Sequence, residues 1–136
     1  GTDLTIVTHG IMINEALAAA DELESLGLST NLIKLNRLDA DEFPVTAQSV
    51  RKTGRIIVLE EVCAHGCMGQ ALLAYLAESC VFVRFARLLN LGDGVVTHGE
   101  VETLRRVCGI DSASVVSAAK LAMEETNEES NYIWHL

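Results

Sequence analysis

The chain has 136 residues, 49% hydrophobic and 21% charged, with 19 acidic against 10 basic side chains and a net charge of −9. That is the size and apolar content of one domain with its own core, which excludes a disordered chain, and the acidity repels phosphate backbones, which argues against a nucleic-acid partner. No apolar run approaches the roughly 18 residues of a membrane span, and Asp3 and Asn14 bracket the first apolar stretch, so neither a membrane protein nor a secretory leader is predicted.

Leu4 to Thr8 is a short β-branched run ending at His9-Gly10, a strand followed by a turn. From Met12 to Leu26 the period becomes helical, with Ile13, Ala16, Leu17, Ala20 and Leu23 on one side and Gly27 as a left-handed stop. Leu28 to Leu35 reads as the next strand, and Asn36 to Asp41 as a loop. Pro44, the only proline, opens a helix that runs through Lys52 to Gly54. Arg55 to Glu60 is the strongest strand, and its consecutive apolar residues predict burial on both faces, as in a parallel sheet covered by helices.

Gly66 and Gly69 open a helix from about Met68 to Glu78, with Ala71, Leu72, Tyr75 and Leu76 inward. Val81 to Leu89 is a further strand. Thr97-His98-Gly99-Glu100 has the form of a capping box and launches a short helix ending at Gly109. Asp111 then caps a last helix with Val115, Ala118, Ala119, Ala122 and Met123 on one stripe. Residues 1–125 form the predicted domain, and 126–136 an acidic tail that closes on Tyr132, Ile133 and Trp134. Alternating strands and helices predict one three-layer α/β/α sandwich around a mostly parallel sheet.

Chemistry-bearing residues concentrate in Glu60-Glu61-Val62-Cys63-Ala64-His65-Gly66-Cys67-Met68-Gly69, at the carboxyl end of the strongest strand, where open α/β sheets place ligands. A glycine loop leading into a helix N-terminus can hold an anion, but Gly66 and Gly69 lack the spacing of a dinucleotide or phosphate-loop motif, and a plain tight turn is the commoner reason for such glycines. Cys63, His65 and Cys67 lack the paired spacing of a zinc site. Cys63, Cys67, Cys80 and Cys108 read as reduced thiols of a cytoplasmic protein, since a domain of this size needs no disulfide staples. Strand alternation sends Glu60 and Glu61 in opposite directions, one to cap a neighbouring loop and the other to face a partner surface. His9 and Gly10 fall on the same rim. The rim residues are therefore His9, Gly10, Glu60, Glu61, His65, Gly66 and Gly69, and they contain no complete catalytic constellation.

The order of these segments, Asp3 to Gly10, then Leu26-Gly27-Leu28-Ser29-Thr30, then Lys52-Thr53-Gly54-Arg55 with its apolar run, Glu60-Glu61 and the glycine loop, resembles the C-terminal domain of the transketolase superfamily. The ending, Thr97 to Glu100, Leu104 and Gly109-Ile110-Asp111, is similar to that of 1-deoxy-D-xylulose-5-phosphate synthases, except that Gly92-Asp93-Gly94 stands where they have Pro-Asp before an aromatic. The resemblance implies a five-stranded mixed sheet between helices, with the first-placed edge strand antiparallel. It also implies a parent enzyme, cytoplasmic and homodimeric, that condenses pyruvate with glyceraldehyde 3-phosphate in isoprenoid precursor synthesis. Thiamine diphosphate and Mg2+ would be held by the preceding domains, so this chain would carry no cofactor or metal ligand, serve assembly and be inactive alone. Open alternatives are a stand-alone anion- or nucleotide-binding or dimerisation module, and the C-terminal domain of a transketolase or 2-oxoacid dehydrogenase β subunit.

Overall fold

The computed structural model describes residues 1–129, and side-chain surroundings through Glu124. The four strands are β1 (Leu4–His9), β2 (Thr30–Leu35), β3 (Arg55–Leu59) and β4 (Phe85–Leu89); the five helices are α1 (Ile13–Ser25), α2 (Phe43–Thr53), α3 (Met68–Glu78), α4 (Val101–Cys108) and α5 (Ser112–Glu129). The strands lie in the order β2-β1-β3-β4 and every neighbouring pair is parallel.

Alternation along the central strands divides the core in two. Leu4, Ile6, Ile57 and Leu59 turn to one face, where Ala16, Ala19 and Leu23 of α1 and Val115, Ala119 and Ala122 of α5 cover them. Val7, Ile56 and Val58 turn to the other, beneath Ala47 and Val50 of α2 and Leu72 and Leu76 of α3. The apolar run of β3 is fully buried on both faces, and the three-layer architecture is the one the sequence predicts. No helix among the described residues is long and apolar enough to cross a membrane.

The sheet departs from expectation in having four parallel strands among the described residues, rather than five with an antiparallel edge. Residues 90–100 could have supplied another strand, but Gly92, Gly94 and Gly99 interrupt them and most are exposed, so they offer no alternating buried face. Three strands are also shorter than predicted, β3 by the single residue Glu60. Ser29 of the predicted second strand is a turn acceptor, its carbonyl taking the Thr2 and Asp3 N–H groups, and residues 81–84 lead into β4 without joining it.

Local signals held to different degrees. Gly27 takes the predicted left-handed conformation, as does Gly54 where the second helix ends, Pro44 lies in the first turn of α2, and Asp111 Oδ1 accepts the Ser114 N–H at the start of α5. The capping box does not form: α4 begins at Val101 with an extended Glu100 at its N-cap and no side-chain cap, so the helix starts three residues later than a Thr97 cap requires. On α1 the inward stripe is Met12, Ala16, Ala19 and Leu23, leaving Leu17 48% exposed. Ala71 of α3 is likewise exposed, because Met68, Leu72 and Leu76 already fill that helix's contact with the sheet. α5 extends to Glu129, past the predicted boundary at 126; the tail residues Tyr132, Ile133 and Trp134 lie outside the described residues.

Candidate functional site: the crevice between β1 and β3

β1 and β3 are parallel neighbours, with Thr8 opposite Leu59, so His9 and Glu60 emerge side by side at their carboxyl ends. Just below them Thr8 Oγ1 donates to the Leu59 carbonyl at 2.8 Å. From here the chain diverges, α1 crossing to one face of the sheet and α3 to the other. This is the topological switch point, where open α/β sheets form their ligand crevice.

Glu60 is buried, 1% exposed, and its carboxylate sits on the N-terminus of α3. Oε1 accepts the Met68 N–H at 3.0 Å and Oε2 the Gly69 N–H at 2.9 Å. Two N–H groups that no helical carbonyl can reach are thus satisfied, and the negative charge meets the positive end of the helix dipole. His9 Nε2 lies 3.1 Å from the same Oε1, with the ring 17% exposed. A carboxylate only accepts, so Nε2 carries the shared proton.

The glycine loop is held from within. Gly66, at φ +73°, turns the chain, and its N–H reaches Gln70 Oε1 at 3.2 Å. The His65 N–H donates to Asp93 Oδ1 at 2.9 Å and the Cys67 N–H to the Ala64 carbonyl at 3.4 Å. Further bonds, Leu91 N–H to the Val62 carbonyl and Ala64 N–H to the Gly92 carbonyl, pair this loop with the one after β4. Gly69 is required by close approach: a Cβ there would stand 2.8 Å from Leu88 Cδ2, 3.0 Å from Glu60 Oε2 and 3.3 Å from Val58 Cγ1.

Glu61 turns outward, as alternation predicts. Arg105 of α4 grips it with Nε on Oε1 at 3.0 Å and a terminal nitrogen on Oε2 at 3.2 Å. That hydrogen bond to Glu61 is the main reason the Arg105 guanidinium is held above its ordinary pKa. Glu15 of α1 stands 3.8 Å from Arg105 on one oxygen and accepts the Ser112 N–H at 2.9 Å on the other. The Glu15–Arg105–Glu61 chain ties α4, which buries no residue of its own, to the rim. Sequence reasoning missed Arg105, Asp93 and Gln70, whose partners lie 44, 28 and 4 residues away; the only local signal was Gln70, one turn into a helix.

The crevice is a pocket of about 160 Å³ lined by His9, Leu38, Glu60, Cys63, His65 and Gly66 among others. Cys63 Sγ points at the His65 carbonyl, 3.5 Å away, and not at its ring. All four cysteines are unpaired. Among the described residues no group of three or more His, Cys, Asp or Glu is gathered for a metal. Of the predicted rim, His9, Glu60 and Gly69 come together, His65 and Gly66 line the mouth, Gly10 is exposed beside it and Glu61 faces away. The N–H groups that would cradle a diphosphate are engaged by Glu60, Gln70 and Asp93, and a buried carboxylate occupies the anion's place. These residues therefore do not fit thiamine diphosphate. What they do is lock β1, β3 and α3 together.

A family model described as the C-terminal domain of transketolase matches residues 1–115. The 1-deoxy-D-xylulose-5-phosphate synthase of Heliobacterium modesticaldum is 32% identical over 120 residues, covering 88% of this chain and 18% of the synthase. The pyruvate dehydrogenase E1 component β subunit of Bacillus subtilis is 32% identical over 106 residues, 76% of this chain and 33% of the subunit. That of Staphylococcus aureus is 36% identical over 81 residues, 60% and 25%. Among solved structures, a split-gene transketolase described as an inactive β4 tetramer aligns with a TM-score of 0.79 at 28% identity, over 91% of this chain and 40% of its own. The chain thus spans well under half the length of these relatives.

Proposed function

Because the chain belongs to the transketolase C-terminal domain family, we propose that it is the C-terminal domain of a thiamine diphosphate-dependent enzyme of the 1-deoxy-D-xylulose-5-phosphate synthase type. The parent joins pyruvate to glyceraldehyde 3-phosphate with loss of carbon dioxide, in the cytoplasm, on the way to isoprenoid precursors. The single observation that supports the synthase branch is the reach of that likeness: 88% of the chain, against 76% for the B. subtilis and 60% for the S. aureus E1 β subunit.

In this reading thiamine diphosphate and Mg2+ belong to the preceding domains and supply the carbanion chemistry there. This chain's own residues position and assemble. Glu60 fixes α3 against β1, and Arg105 holds α4 at the rim, so that the carboxyl end of the sheet is a preformed surface for the preceding domains and for a second protomer. A domain of this size cannot also hold two cofactor-binding domains.

The E1 β subunits, alike over 60% and 76% of the chain, also support a second reading, the C-terminal domain of a pyruvate dehydrogenase E1 β subunit. One assay separates them. The parent assembly, given pyruvate, releases carbon dioxide with glyceraldehyde 3-phosphate as acceptor if it is a synthase. Release that needs a lipoyl acceptor and ignores the aldehyde overturns the synthase reading in favour of the dehydrogenase.

A further inference from the structure

The amino ends of β3 and β4 lie at the opposite pole of the sheet from the His9–Glu60 crevice, and the charge there is of the opposite sign. Arg51, Lys52, Arg84 and Arg87, four of the chain's ten Lys and Arg residues, are exposed in this region. Two contacts bring the ends of α2 and α3 and the lead into β4 together, and a third is local to β4. The Arg84 N–H donates to the Gly54 carbonyl at 2.7 Å, Arg51 reaches the Ser79 carbonyl at 3.3 Å, and the Arg87 guanidinium lies 5.6 Å from the centre of the Phe85 ring.

Arg37 and Arg105 are ion-paired, whereas none of these four cations meets a carboxylate among the described residues. Exposed Glu78 and Asp93 are the nearest acidic side chains along the chain, the first before Arg84 and the second after Arg87. Beside them Phe82 is 76% exposed, and the outer edge of β4 has no partner strand among the described residues.

These features complement one another. An open strand edge offers main-chain N–H and C=O groups to an extended segment. Unpaired arginines offer charge-assisted bonds to its carboxylates, and an exposed aromatic offers an anchor. In a chain of net charge −9, local cations of this kind select for a short acidic segment. A long phosphate backbone would feel the repulsion of the whole molecule instead. We infer that the β4 edge, with Arg51, Lys52, Phe82, Arg84 and Arg87, is a docking surface for an acidic, extended polypeptide segment that adds alongside β4. The surface is distinct from the crevice and does not depend on the parent's reaction.

The test uses a fluorescein-labelled alternating Glu-Tyr peptide as probe, titrated with the chain at low and at physiological salt and followed by anisotropy. The expected result is saturable binding that weakens with salt, falls at least about tenfold (roughly 1.4 kcal/mol) in the Arg84→Glu/Arg87→Glu variant, and is unchanged in Lys34→Glu, an exposed cation on β2. Hydrogen exchange at residues 85–89 slows on binding. If the first variant does not fold by circular dichroism, Arg51→Glu/Lys52→Glu replaces it. Absence of binding at low salt, equal affinity of wild type and charge-reversed variants, or tighter binding of a single-stranded oligonucleotide of equal length overturns the inference.

Discussion

His9 Nε2 stands 3.1 Å from Oε1 of Glu60, an oxygen that also accepts the first N–H of α3. One carboxylate thereby joins the end of β1, the end of β3 and the start of a helix on the far face of the sheet. This polar cluster is a structural lock at the place where this class of fold ordinarily opens to a ligand.

Removing the lock should cost stability directly. Glu60→Ala leaves the Met68 and Gly69 N–H groups buried without acceptors, at about 1–3 kcal/mol for each such group. Urea unfolding should show a loss of roughly 2–4 kcal/mol, partly restored by formate or acetate, which fit the vacated place on the helix N-terminus. A loss below about 0.5 kcal/mol would contradict the assignment.

Gly69→Ala sets two effects against each other. Alanine gains about 1 kcal/mol in helix propensity, but its Cβ meets Leu88, Glu60 and Val58 at 2.8–3.3 Å. Overpacking of this kind costs about 1–3 kcal/mol, so the variant should be less stable than wild type, with a thermal midpoint lower by several degrees. A raised midpoint would show that the helix can move off the sheet.

Two buried threonines should respond in opposite ways to valine. Thr5 Oγ1 bonds Ser49 Oγ at 2.7 Å and Thr53 Oγ1 at 2.9 Å, so Thr5→Val strands a network beneath α2 and should destabilise by about 1–2 kcal/mol. Thr46 Oγ1 is buried without a hydrogen-bond partner among the described residues, so Thr46→Val should be neutral or stabilising. Equal effects in chemical denaturation would contradict both statements.

Arg105→Lys keeps the charge and loses the two-pronged grip on Glu61. A pair this exposed stabilises by no more than about 1 kcal/mol, so global unfolding should hardly change, whereas amide exchange within α4 should accelerate. The guanidinium's folded pKa is raised, so its contribution is complete below the ordinary arginine value and is lost only as pH climbs through the folded one. Raising the pH from neutral to mild alkali should therefore leave wild-type α4 protection intact once intrinsic exchange is corrected for.

The fold was legible in the sequence because hydrophobic period and left-handed glycines act locally. β3 announces burial on both faces by an unbroken apolar run, and Gly27 and Gly54 mark helix ends by their own conformation. Within the candidate site, the opposite directions of Glu60 and Glu61 followed from alternation alone. The His9–Glu60 contact did not, since it depends on β1 and β3 being neighbours 51 residues apart in sequence. Arg105 was illegible for the same reason, and the capping box at Thr97 failed because a local motif does not say whether the chain will turn to use it. The expected fifth strand came from resemblance, with no strand signal of its own in the sequence.

The central claim is that the reactive cofactor is held by polypeptide other than this chain. Calorimetric titration of the chain with thiamine diphosphate in the presence of Mg2+ tests it most directly. The account predicts no saturable heat, because Glu60 occupies the α3 N-terminus at the crevice. Stoichiometric binding abolished by a change in the glycine loop, such as Gly66→Val, would contradict it.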